Sequence, residues 1–274
     1  MLRLNGTEII TERFPNNETK VKDFENAIRY DGPNILEFKY FTDEDLIALM
    51  FVKLRINEFQ VPCTLFIWYM PYSRMDRKIE GNLFTLQDIC YFINWLDFEK
   101  VVVMEPHSSR TMIMLERANP VFPIKDWLTT VLKEVGFSDE KDHIVFPDKK
   151  IAARYADSGC SNICIFEKNR NPETGTIKNM YLKEGTINPG SKCIIIGDLC
   201  SKGETFACAG NILKSLGASD IYVIVSHCEK TIFDGELLSN GSPIKAVYTS
   251  TSIMSEQHPN IKYMDVDVIG CVNQ

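Results

Sequence analysis

Short apolar runs of strand length alternate along the chain with segments whose apolar positions recur at helical spacing. Ile35 to Tyr40, Cys63 to Tyr69 and Val101 to Met104 read as strands, and Thr42 to Phe59 and Thr85 to Leu96 read as helices between them. Thr42 followed three residues later by Asp45 is a near capping box that starts the first helix. The turn-rich Ala118-Asn119-Pro120 closes this series, and a second begins with a helix over Ile124 to Glu134. Strands follow at Ile144 to Phe146, Ile163 to Phe166 and Cys193 to Ile196, then a helix over Glu204 to Leu216 and strands at Ile221 to Val225 and Ile244 to Tyr248. Strands separated by helices predict an α/β protein with mainly parallel sheets flanked by helices. Two series of similar size predict two halves, residues 1–122 and 123–274, each with its own sheet. No repeat relates them residue by residue, and no segment is of low complexity.

Composition narrows the class further. A chain of 274 residues that is 45% hydrophobic can bury a real core, which excludes a disordered or collagenous protein. With 37 Asp and Glu against 30 Lys and Arg, the net charge of −7 argues against nucleic acid as the main partner. No run approaches the ~18 uncharged apolar residues of a membrane span, and Met1-Leu2-Arg3-Leu4-Asn5-Gly6 lacks the apolar core of a signal peptide. The expectation is a protein of the cytoplasm with no membrane partner. Nine cysteines, an odd and scattered set with several in apolar runs such as Cys193-Ile194-Ile195-Ile196, suit reduced buried thiols rather than disulfides. Neither Cys160-x-x-x-Cys164 nor His107, His143, His227 and His258 give the paired spacing of a zinc site.

The stretch Ile194-Ile195-Ile196-Gly197-Asp198-Leu199-Cys200-Ser201-Lys202-Gly203-Glu204-Thr205 is a buried strand that turns into a helix. Such a turn presents free backbone N–H groups and the positive end of a helix, a cradle for phosphate. Lys202 and the Thr205 hydroxyl add to it. The spacing is not that of a P-loop, and on local grounds alone a plain strand-to-helix turn is the simpler reading.

Context changes this. Asp198 to Thr205 resembles the ribose-phosphate loop of the phosphoribosyltransferase fold, whose usual form is D-D-x-x-D-T-G-G-T. Tyr69-Met70-Pro71-Tyr72-Ser73-Arg74-Met75-Asp76-Arg77 resembles the P-Y-x-x-R-Q-D-R segment of phosphoribosyl pyrophosphate (PRPP) synthetases, and Glu105-Pro106-His107 stands where that family has D-x-H. Phe14-Pro15-Asn16-Asn17-Glu18 is similar to its F-x-D-G-E, Phe146-Pro147-Asp148 to its S-P-D, and Lys168-Asn169-Arg170 to its K-x-R. Ser226-His227 and Val247 to Ile253 are similar to two of its strand ends. With these segments in the family's order, the chain resembles a divergent PRPP synthetase, or ribose-phosphate diphosphokinase.

The resemblance implies a fold of two phosphoribosyltransferase-like halves, the first on the ATP side and the second holding the sugar-phosphate loop. It implies transfer of the β,γ-diphosphate of ATP to the anomeric hydroxyl of ribose 5-phosphate, with AMP released and Mg²⁺ required. Arg74 and Asp76 would then hold ATP, and Phe14 and Glu18 would reach the adenine of a neighbouring subunit in a homo-oligomer, at least a dimer. His107 would serve both ATP and Mg²⁺, and Asp148 would bind Mg²⁺. Lys168 and Arg170, two apart on an extended segment and so facing one way, would stabilise charge on the transferring diphosphate. Asp198, Ser201, Lys202, Gly203, Glu204 and Thr205 would hold the sugar phosphate. Read from the residues alone, Arg74 is a surface arginine in an Arg-rich turn, His107 a polar strand end, and Glu167 to Arg170 a solvated charge cluster. His227 reads as structural.

The departures fall in the ligand sites. In the sugar loop Gly197 and Ser201 replace two acids, Lys202 replaces the Thr, and Glu204 replaces a Gly. Two of three carboxylates are gone and a cation stands beside the phosphate position, which opens two alternatives: an acceptor with a larger 5′ group, such as ADP-ribose in NAD salvage, or a non-catalytic regulatory relative. Asn16 and Met75 replace an Asp and a Gln on the ATP side. The family's C-terminal helix is not read after Lys262-Tyr263-Met264, so its usual hexamer is not carried over.

Overall fold

The β-branched and aromatic runs become strands buried on both faces, as strands covered by helices on either side must be. The computed structural model describes residues 1–274 apart from 79–80, 156–158 and 171–175, and the side chain of Arg170 also lies outside the described part. Contacts divide the chain into Met1–Val121 with Asp267–Gln274, and Phe122–Val266.

The first unit opens with β1 (Leu2–Leu4) and β2 (Thr7–Ile9), joined by Asn5-Gly6. Both turn residues have positive φ, 53° and 85°, as a two-residue hairpin turn requires. A separate hairpin, β3 (Thr11–Arg13) and β4 (Thr19–Val21), follows, then β5 (Asn34–Phe38), α1 (Asp43–Glu58), β6 (Cys63–Ile67), α2 (Thr85–Trp95), β7 (Lys100–Met104), α3 (Ser109–Met114) and β8 (Ala118–Val121). The sheet order is β2-β1-β5-β6-β7-β8, parallel from β5 to β8. The expected box at Thr42 is present in its return arm: Asp45 Oδ2 accepts from Thr42 N at 2.9 Å. Leu46, Leu49, Val52 and Ile56 of α1 and Leu86, Cys90 and Ile93 of α2 close over Leu36, Phe38, Leu65, Ile67, Val101 and Val103.

The second unit runs α4 (Ile124–Val135), β9 (His143–Phe146), α5 (Lys149–Tyr155), β10 (Ile163–Arg170), β11 (Ile177–Glu184), β12 (Lys192–Cys200), α6 (Glu204–Ser215), β13 (Asp220–Cys228), β14 (Ile244–Thr249) and β15 (Ile261–Tyr263). Its sheet order is β11-β10-β9-β12-β13-β14-β15, antiparallel only between β10 and β11. Alternation along β12 serves two cores: Cys193 and Ile195 pack with Phe206, Ala209 and Leu213 of α6, while Ile194 and Ile196 pack with Ile124, Trp127, Leu128 and Val131 of α4.

The chain ends in α7 (Val268–Asn273). This corrects one expectation: the last residues lie with the first unit rather than closing the second. The cause is local and specific. Asp267 Oδ1 accepts from Gly270 N at 2.9 Å to start the helix, Cys271 is buried, and Lys100 Nζ donates to Val272 O at 2.7 Å. Two further expectations change: Ala118-Asn119-Pro120 is part of strand β8 rather than a turn, and the strand at Ile163 continues to Arg170. None of the nine cysteines forms a disulfide, and seven of them are buried. Burial pushes the Cys193 thiol up to about 12. Among the described residues no helix is long and apolar enough to cross a membrane.

Candidate active site

In the first unit the candidate residues sit in turns at the C-terminal ends of β6 and β7, where open α/β sheets place their ligands. After β6 the chain folds back at Tyr72, whose φ is 58°. Two bonds brace it: Met75 N donates to Tyr72 O at 2.9 Å, and Tyr72 Oη donates to Asp43 Oδ1 at 2.5 Å. Tyr40 Oη donates to the same oxygen at 2.6 Å. Hydrogen bonds from Tyr40 and then Tyr72 hold the Asp43 carboxyl below the usual range. Ser73 is buried, its hydroxyl on Tyr69 Oη at 3.1 Å, and Arg74 is left exposed.

Asp76 ties this turn to the one after β7. Ser108 Oγ donates to Asp76 Oδ2 at 2.8 Å, and Arg110 Nη1 donates to the Asp76 carbonyl at 2.6 Å. Its carboxylate therefore aligns the loops that display Arg74 and His107. Glu105 has φ 43° and is 1% exposed, with its N–H on Val121 O at 2.8 Å. That buried corner turns the chain outward and exposes His107. Phe14 and Glu18 lie elsewhere in the unit, on the β3–β4 hairpin. Phe14 N donates to Glu18 O at 3.0 Å, Asn17 N donates to Phe14 O at 2.8 Å, and the Phe14 ring is 47% exposed. An Arg13–Glu44 ion pair ties this hairpin to α1.

In the second unit β10 runs past the end of β9, its last partner there being Phe146. This overhang brings Lys168 to the start of α5, with its Nζ 2.8 Å from Asp148 Oδ2. Asp148 Oδ1 also caps α5, accepting from Lys150 N at 3.0 Å and Ile151 N at 3.1 Å. Burial pushes the Asp148 carboxyl up, but the Lys168 ammonium and the backbone donors outweigh it and hold the group below its ordinary value. The two side chains are only 20% and 29% exposed, so Lys168 is not part of a solvated cluster. Glu167 points to the other side and pairs with Lys183 of β11.

Ladder pairing carries β12 through Gly197 and Asp198 to Cys200, opposite Cys228. The loop proper is therefore only Ser201, Lys202 and Gly203, and Asp198 stands on the strand, its Oδ1 accepting from Leu199 N at 2.8 Å. Lys202 and Glu204 are exposed, while Ser201 and Thr205 are half-buried. Gly203 has φ 82° and opens α6. A Cβ at Gly197 would stand 2.7 Å from Phe206 Cζ, so a core phenyl ring fills the space that a side chain at this position would need. His227 is fully buried with Nδ1 2.8 Å from Ser252 Oγ, a structural pair.

Among the described residues no three His, Cys, Asp or Glu side chains gather as a metal cage. The donors fit Mg²⁺ that arrives with nucleotide phosphates, since that ion keeps its waters and needs one or two protein ligands. Asp148, held ionised by Lys168 and two backbone donors, would be the hard oxygen donor for such an ion. Sequence reasoning missed Ser108 and Asp43 as supports; each lies more than 25 residues along the chain from the turn it braces, separated as Ser108 is from Asp76 by 32 positions.

No family model matches the chain. The ribose-phosphate pyrophosphokinase of Aeropyrum pernix is 26% identical over 167 residues, 58% of this chain and 52% of that protein, so the match spans about half of that relative. The ribose-phosphate pyrophosphokinase of Hyphomonas neptunium is 26% identical over 235 residues, 82% of this chain and 72% of that one. Among solved structures, the phosphoribosylpyrophosphate synthetase from Mycobacterium smegmatis matches with a TM-score of 0.77 at 17% identity, covering 97% of this chain and 88% of that one. In sequence the chain is similar to ribose-phosphate pyrophosphokinases, and in fold it is similar to a phosphoribosylpyrophosphate synthetase.

Proposed function

We propose that this chain moves the β,γ-diphosphate of ATP to the anomeric hydroxyl of ribose 5-phosphate, giving PRPP and AMP. The supporting observation is where the residues assigned by resemblance fall. Apart from Phe14 and Glu18 on the β3–β4 hairpin, they stand in each unit at the C-terminal end of the parallel strands: Arg74 and His107 in turns after β6 and β7, Asp148 after β9, Lys168 on the overhang of β10, and Ser201 to Thr205 after β12. Segments far apart in sequence reach one edge of a sheet only if the fold brings them there.

The reaction asks little covalent chemistry of the protein. The anomeric oxygen attacks the β-phosphorus, the bond to the α-phosphate oxygen breaks, and catalysis is mostly placement and charge stabilisation. Arg74 holds ATP phosphates, and Phe14 and Glu18 serve the adenine of a neighbouring subunit in an oligomer of at least two chains. By the resemblance, His107 and Asp148 would each offer a ligand to Mg²⁺, which would supply neutralisation of phosphate charge. Lys168, and by the resemblance Arg170, would stabilise the negative charge that develops on the diphosphate. Backbone N–H groups at the start of α6 take the sugar phosphate, and Asp198 is the acid left to take a ribose hydroxyl.

AMP release from ATP and Mg²⁺, with ribose 5-phosphate, ADP-ribose or no acceptor and products identified by mass, tests this. AMP with ribose 5-phosphate alone supports the proposal. AMP with ADP-ribose alone replaces the acceptor, and no AMP in any arm makes the chain a non-catalytic relative.

A further inference from the structure

The sugar-phosphate loop is not shaped by its own residues alone. The segment Glu229 to Leu237, directly after β13, lies along it. Glu229 N donates to Cys200 O at 2.8 Å, which extends the backbone pairing up to the first loop residue. The hydroxyls of Ser201 and Thr231 are 2.9 Å apart, and Thr231 donates to Glu229 Oε2 at 3.4 Å. With its proton so used, Thr231 accepts from Ser201.

Gly235 makes the closest approach. Its φ of −104° and ψ of −179° suit any residue, so conformational freedom does not explain the glycine. A Cβ there would stand 2.0 Å from the Lys202 carbonyl oxygen and 2.9 Å from its carbonyl carbon. Gly203 meets the same segment one residue on, where a Cβ would lie 2.8 Å from Leu237 Cβ. Ile232 at 0% exposed and Leu237 at 1% anchor the segment in the core beneath.

We propose that Glu229 to Leu237 is a mould for the loop, with Gly235 and Thr231 as positioning residues that set affinity for the phosphate end of the acceptor. This rests on the reading of Ser201 to Thr205 as the phosphate-binding loop. Backbone donors bind phosphate only when their N–H vectors converge, and a displacement of about 1 Å takes donors out of hydrogen-bond range, each bond lost costing ~5-fold in affinity. An alanine at position 235 forces a shift of that size, because the 2.0 Å gap must open to an ordinary contact. The displaced atoms are backbone, not the end of a flexible side chain. Losing the Ser201 partner at Thr231 removes one hydrogen bond, worth ~5-fold.

The test titrates ribose 5-phosphate and, separately, Mg²⁺–ATP into the full chain by calorimetry, and measures kcat and KM from AMP release. Gly235→Ala is expected to weaken ribose 5-phosphate binding about 10- to 100-fold and raise its KM alike, with ATP binding unchanged and kcat at saturation within about threefold. Thr231→Val is expected to weaken it ~5-fold and Thr231→Ser to restore it. Asp234→Ala, an exposed neighbour on the same segment, is expected to behave as wild type. Should Gly235→Ala fold poorly, the two Thr231 variants decide. Wild-type binding in both Gly235→Ala and Thr231→Val overturns the mould, as does equal loss of ATP affinity or a failure of Thr231→Ser to recover. A wild-type protein that binds no ribose 5-phosphate removes the reading of the loop itself, and the proposal with it.

Discussion

Replacing Lys168 by Ala separates catalysis from stability on this scaffold. Before reaction, Lys168 makes one ion pair, 2.8 Å to Asp148, with both side chains partly solvated; such pairs contribute at most about 1 kcal/mol. Asp148 keeps its two backbone donors when the lysine is gone, so the start of α5 survives. In the transition state a unit positive charge about 4 Å from the developing charge, at an effective dielectric constant of about 20, is worth roughly 4 kcal/mol. That corresponds to ~10³ in rate. Lys168→Ala should therefore lower kcat about 10²- to 10³-fold, leave the KM for ATP within about threefold, and shift unfolding by less than ~1 kcal/mol. Initial rates of AMP release and urea unfolding of the same preparation measure all three. Lys183→Ala, which removes the partner of Glu167 on the neighbouring strand, is the matched control. A kcat within fivefold of wild type, or an equal loss in Lys183→Ala, would refute the role given to Lys168.

Three more substitutions read other parts of the molecule. Burial, then the Arg3 charge, pushes the Lys39 ammonium down to about 8 against the pull of Glu37, with its Nζ 4.1 Å from the Trp68 ring centre. The unfolded chain, where a lysine titrates near ~10.4, binds more protons between those two values, so wild-type stability should rise with pH across that window. Lys39→Met should thus be more stable than wild type by ~1–2 kcal/mol at pH 7 after allowance for solvent screening, and lose that advantage by about pH 10.5; parallel urea curves at both pH values check it. Gly197→Ala pushes a methyl against Phe206 and should cost ~1–3 kcal/mol, with Phe206→Leu recovering part of it in a double-mutant cycle; additive losses would show that the ring is not the obstacle. His107→Ala should raise the Mg²⁺ concentration needed for half-maximal rate at fixed ATP, and an unmoved Mg²⁺ titration leaves His107 as an exposed strand end.

The buried strands were legible because Val101-Val102-Val103 and Ile194-Ile195-Ile196 have no other stable home than a covered sheet. What misled was the exception a sheet edge allows. Pro120 argued for a turn, yet β8 is the last strand in its sheet and needs no donor on its outer side. The three-residue strands β1 to β4 are too short for any periodicity to register. The overhang of β10 was invisible because Glu167 and Lys168 are charged; it stands by pairing with β11 rather than by burial. In the candidate site the linear motifs at Arg74, His107, Asp148 and Lys168 were readable one by one. That Lys168 closes on Asp148, that Asp76 joins two turns, and that Phe206 fills the space over Gly197 are tertiary facts no local pattern encodes.

The return of α7 to β6 has a mechanical consequence. Residues 1 and 274 both lie in the first unit, and the second is spliced in between Val121 and Asp267. Tension applied at residues 1 and 274 is borne by the pairing of β1 with β5 and by the seating of α7, including the bond from Lys100 to Val272. Until one of these yields, the unit that holds Lys168 and the turn from Ser201 to Gly203 stays slack. The last helix is thus a clasp that shields half of the chain from load.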